Sequence, residues 1–139
     1  MRKAFEIIDH TADVGIIAYG ADLAELFSNA ALALFSLIIQ PESVEEKLHR
    51  RLEVSSEDHD NLLVNWLNEL IYVFDAEHML FRRFDIDSLT ENLLRATCYG
   101  EMFDPARHTI KIGVKAATYH MLTVERNGGG YKARVIFDI

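Results

Sequence analysis

The sequence predicts an α+β fold, with two helices packed on a mainly antiparallel sheet. Three observations carry this. Two stretches place apolar residues at helical spacing, runs of β-branched and aromatic residues flank them, and the last third is almost wholly strand-like. With 139 residues, half of them hydrophobic, and only two prolines, the chain has the balance of one domain spanning 1–139 that buries its core without disulfides.

Residues 5–9 and 15–19 read as two short strands joined by a polar turn. Asp22 then precedes Leu23, Leu26, Phe27, Ala30, Ala31, Leu34, Phe35 and Ile38, the stripe of an amphipathic helix over 22–38, and Glu25 completes a capping-box-like start. Pro41 closes it, and a strand with one wet face follows around 48–54. The next stripe, Leu62, Leu63, Trp66, Leu67, Leu70, Ile71 and Phe74, predicts a helix over 60–75 with an apolar face in the core, while Asn61, Asn65, Asn68 and Glu69 fall away from it. Leu26, Phe27, Leu34, Leu63, Trp66, Leu67 and Leu70 are the expected core. Residues 80–89, 93–99, 110–114, 118–125 and 131–139 read as strands, and Asn127 with Gly128, Gly129 and Gly130 forms a hairpin turn by its chemistry, since these residues tolerate positive φ.

Asp and Glu outnumber Lys and Arg by 22 to 14, a formal charge of -8. An acidic surface repels phosphate backbones, so strong direct nucleic-acid binding is not expected. The lone Cys98 cannot form an intramolecular bridge, and no basic-then-apolar leader precedes Glu6, so the cytoplasm is the expected compartment. The longest apolar stretches, such as 30–39, include Ser36 and fall far short of the roughly 20 residues a bilayer span needs, so no membrane segment is expected.

The final strand carries the most information. Tyr131, Ala133, Val135, Phe137 and Ile139 alternate with Lys132, Arg134, Ile136 and Asp138, so the end should be ordered, with the Asp138 side chain beside the Ile139 α-carboxylate. Like charges so close call for a cation or strong donors. A third acid, Asp13, comes from the 10–15 turn, where Gly15 would let the backbone turn sharply. Three oxygens would suit Ca²⁺, Mg²⁺ or Mn²⁺. On residue pattern alone the plainer reading is preferred, with Asp13 bonding its own turn and Asp138 paired with a lysine, because acidic turns and strand ends are common. Lys115 interrupts an apolar run and could neutralise acids or reach a phosphate; its plainer reading is a snorkelling surface lysine. The six histidines include no His-x₃-His pair, and one cysteine is too few for the usual zinc sets, which disfavours zinc. His10 and His120 read as hydrogen-bonding neighbours of the two motifs, and Cys98, inside a strand with no base beside it, is not expected to be a nucleophile. No Walker loop, Rossmann glycine pattern or nucleophile elbow is present.

HTADVG at 10–15, LLVNWLNEL at 62–70 with Phe74 and Asp75, KAATYH at 115–120 and VIFDI at 135–139 together resemble the archease family, in its order and over nearly the whole chain. The resemblance implies a strand-helix-strand-strand module with additions. It also implies a non-enzymatic partner of the tRNA-splicing RNA ligase, which joins 2′,3′-cyclic-phosphate or 3′-phosphate RNA ends to 5′-hydroxyl ends. In that family the partner promotes guanylylation of the ligase's histidine, restores turnover and broadens nucleotide use. Asp13, Asp138 and the Ile139 carboxylate match the family's metal ligands, for calcium first and magnesium or manganese next. Lys115 matches a lysine needed for activation. Two other classes remain open at this point: a general chaperone, which would bind clients through an exposed apolar patch, and a metal-dependent hydrolase, whose only bases would be His10 or His120.

Overall fold

The computed structural model describes residues 3–9 and 13–139. In chain order these form β1 (Phe5–Asp9), β2 (Asp13–Gly20), α1 (Leu23–Ile38), β3 (Leu48–Ser55), α2 (His59–Glu77), β4 (Met79–Leu89), β5 (Leu93–Met102), β6 (Ala116–Ala117), β7 (Thr123–Asn127) and β8 (Gly130–Asp138). A 3-10 turn, Pro41–Ser43, follows α1. All strand pairs are antiparallel and make two sheets, β1-β2-β8-β6 with β7 also on β8, and β3-β5-β4. The α+β class holds, and β3-α2-β4-β5 runs in strand-helix-strand-strand order.

Both helices start where their caps dictate. The Asp22 carboxylate accepts the Glu25 N–H at 2.8 Å, and Glu25 reaches back to the Ala21 N–H at 2.7 Å. Asp58 caps α2 through the Asn61 N–H at 2.8 Å, and α2 ends at His78 in the left-handed region, φ 60. The seven expected core residues are fully buried. Trp66 satisfies its indole N–H on the Phe27 carbonyl of α1 at 3.0 Å and meets Phe84 edge-on, which locks the two helices and β4 together. Ser28 and Asn29 of α1 bond the Phe84 and Tyr19 carbonyls, so α1 is tied to both sheets.

Three expectations change. Residues 110–114 form no strand: the Lys111 N–H donates to the Ile38 carbonyl at 2.7 Å and its ammonium to the Ser36 carbonyl at 2.8 Å, so the segment satisfies the open C-terminal end of α1 in place of a strand partner. The expected strand over 118–125 is split, because the Thr118 N–H and hydroxyl both donate to the Ile136 carbonyl and a turn follows, with Met121 at φ 54 before β7 begins. Gly15 does not turn the chain. It lies inside β2, where an added Cβ would meet Ile136 Cδ1 at 2.7 Å, so the position needs a small residue for close approach. The expected hairpin is present: Asn127 pairs with Gly130 across Gly128, whose φ is +62.

Candidate functional site

Asp13 opens β2 and Asp138 closes β8, and the register of this long antiparallel pair sets them directly opposite each other. Directly opposed residues hold their Cβ atoms about 4.5–5.5 Å apart on one face of a sheet. Asp13 is therefore a strand residue and not part of a loop, and what fixes it is the β2–β8 ladder. Asp13 is half-buried, whereas Asp138 and Ile139 are exposed. On the other side of β8, Ala116 pairs with Asp138, and the Lys115 N–H donates to the Asp138 carbonyl at 2.8 Å. Three residues far apart in sequence thus meet at one end of one sheet. The Lys115 side chain is exposed and makes no ion pair among the described residues.

The donor chemistry fits a hard divalent cation. Two acidic residues stand at directly paired positions, and like charges so placed repel unless a cation or donors intervene. Among the described residues no group of three or more His, Cys, Asp or Glu side chains gathers. Main-chain oxygens, such as those of Ile139 next in the chain, are further donors of the kind a hard cation takes. His10 lies outside the described residues. His120 is exposed, with its backbone N–H near the Thr118 hydroxyl at 3.3 Å; its imidazole bonds to no described residue, because the 118–121 turn carries it outward. Cys98 faces the core, and burial first, with Asp87 and Asp85 adding, pushes its thiol up to about 12, which makes it inert as a nucleophile.

Two features were not found from the sequence. Asn68, read there as falling away from the apolar stripe, is half-buried and exchanges two hydrogen bonds with Ala117: its Oδ1 accepts the Ala117 N–H at 2.8 Å and its Nδ2 donates to the Ala117 carbonyl at 3.2 Å. Only its place within the 62–70 motif hinted at a role. The second is a buried acid, Glu101, which accepts from the Glu45 N–H at 2.7 Å and from Arg107, and faces His108 Nε2 at 3.1 Å. His108 Nδ1 accepts the Asp104 N–H at 2.9 Å, so the ring proton sits on Nε2 and points at Glu101. Burial alone would raise the Glu101 carboxyl, but Glu45 N–H, Arg107 and His108 outweigh it and bring it down to about 2. This network anchors the start of the segment that runs on to Lys115.

Residues 5–139 match the Archease protein family (MTH1598/TM1083). The protein archease of Sulfurisphaera tokodaii is 41% identical over 140 residues, covering 100% of each chain. That of Methanothermobacter thermautotrophicus is 44% identical over 140 residues, covering 99% of each. The solution structure of Methanobacterium thermoautotrophicum protein 1598 superposes with a TM-score of 0.84 at 43% identity, covering 98% of this chain and 99% of that one. A crystal structure from Thermotoga maritima, described as an archease and possible chaperone, shares the fold with a TM-score of 0.69 at 24% identity, covering 100% of this chain and 98% of that one.

Proposed function

The chain belongs to the archease family, and from that premise we propose that it is a single-domain cytoplasmic accessory protein that activates the tRNA-splicing RNA ligase. In this reading it promotes guanylylation of the ligase's histidine and multiple turnover, and broadens the nucleotides the ligase accepts. The observation that carries the reading is the meeting of Asp13, Asp138 and Lys115 at one end of one sheet, two carboxylates opposed and the lysine's amide on the Asp138 carbonyl.

Asp13, Asp138 and an oxygen of Ile139 would hold a divalent cation, calcium first and magnesium or manganese next. When bound, that ion supplies concentrated positive charge for ordering phosphate oxygens. The chain's own residues do the rest. The opposed carboxylates give the sheet end an anionic face, and Lys115 beside them offers a mobile point charge that can reach a phosphate. Nucleotidyl transfer is mostly a matter of positioning and electrostatics, so a charged, rigidly mounted tip can assist it while the nucleophile stays on the ligase. The chain is thus an activator and not an enzyme, and its charge of -8 keeps RNA binding weak in the absence of ligase.

Single-turnover guanylylation of purified ligase, with and without this protein, tests the proposal. Acceleration that disappears with Lys115→Ala is the expected result. Normal activation by Lys115→Ala would remove the lysine from the mechanism. Substrate turnover by the chain with no ligase present would favour a hydrolase, and equal rescue of unrelated clients a chaperone.

A further inference from the structure

We infer that Asn68 is a positioning residue of this site, whose side-chain amide clamps the strand carrying Lys115 against β8. What Lys115 does rests on the reading above, whereas the clamp rests on geometry alone. β6 is only two residues long and lies at the sheet edge, where ladder partners run out. On its inner side it pairs with β8, Ala116 opposite Asp138 and Ala117 opposite Phe137. The Ala117 N–H and carbonyl are both engaged on the outer side, by the one amide of Asn68. A side chain that exchanges both bonds with a single residue does the work of a missing neighbouring strand.

The clamp is rigid because α2 cannot rotate: Trp66, Leu67 and Leu70 on either side of Asn68 are fully buried. Lys115 stands two residues before Ala117, with its amide on the Asp138 carbonyl. Asn68 thus fixes where the lysine leaves the sheet. Asp13 and Asp138 are aligned independently, by the eight-residue register of β2 with β8. Losing the clamp should therefore loosen the lysine and spare the acid pair.

The experiment uses the full chain with Asn68→Ala and with Asn68→Asp, which keeps an acceptor for the Ala117 N–H but loses the donor. Hydrogen exchange at the Ala117 amide should accelerate about tenfold or more in Asn68→Ala and by less in Asn68→Asp, where the carboxylate still accepts that N–H, while exchange in β2 and β8 stays as in the native protein. Affinity for Mn²⁺ alone should stay within about threefold of native. Ligase guanylylation should fall about tenfold, and adding Lys115→Ala to Asn68→Ala should lower it no further. Unchanged exchange at Ala117 in Asn68→Ala would overturn the clamp. An additive loss in the double variant would overturn its action through Lys115, as would a Mn²⁺ affinity that falls in step with activation. Should Lys115→Ala alone activate normally, the functional reading fails, and exchange at Ala117 still decides whether Asn68 holds the strand.

Discussion

Replacing Glu101 with Gln should uncouple the segment leading to Lys115 from the core and make stability less sensitive to acid. The carboxyl falls from 4.5 to about 2 in the folded protein, which corresponds to roughly 3 kcal/mol at about 1.4 kcal/mol per pH unit. Solvent reduces this, because Arg107 and Lys47 beside it are 38% and 61% exposed. About 2 kcal/mol at pH 7 is therefore the expected loss. For a chain of 139 residues that lowers Tm by about 8 °C. The sign follows from the depressed folded value: the stabilisation is complete above the unfolded value of 4.5 and is lost as pH falls towards about 2. Urea unfolding of native and Glu101→Gln proteins between pH 7 and pH 3 should show a gap that is full at pH 7 and about half as large near pH 3. A gap under about 0.5 kcal/mol at pH 7, or one that stays constant or widens in acid, would refute the reasoning.

Other substitutions probe the sheets and the site. Gly100→Ala drives its Cβ to 1.7 Å from the Leu80 carbonyl oxygen, and backbone cannot yield as a side chain can, so a loss of about 3 kcal/mol or more in urea unfolding is expected. Gly15→Ala meets chiefly the tip of the Ile136 side chain, which can turn where backbone cannot, and should cost about 1 kcal/mol in the same measurement; equal losses would contradict the packing described. Asp13→Ala and Asp138→Ala should each weaken Ca²⁺ or Mn²⁺ binding by calorimetry about tenfold or more while leaving the fold intact, since hard cations depend on the number and charge of their oxygens. Extending the chain past Ile139 should weaken binding as well, and an extended protein with native affinity would return Ile139 to a bystander. Cys98 should react with a thiol reagent only on unfolding, and fast labelling of the native protein would show that its strand opens.

Features that depend on near neighbours along the chain are legible in the residues alone. The stripe from Leu26 to Ile38 and the one from Leu62 to Ile71 are periodic whatever they pack against, and Asp22 and the Asn127–Gly130 turn act within a few residues of themselves. Trp66 could be assigned to the core from its place on its stripe. Which distant groups meet depends on the packed fold. The pattern at 110–114 suits a strand, but the open carbonyls at the end of α1 take the Lys111 donors instead. Gly15 reads as a turn residue until Ile136 is seen pressing on it from β8. Asn68 lies off the apolar stripe of its helix, and its role exists only because β6 arrives with an unpaired edge. Asp13 and Asp138 could be nominated from their motifs, yet their opposition is a consequence of β2–β8 register. Periodicity is a property of a segment, whereas register and edge pairing are settled by long-range contacts that the local pattern does not encode.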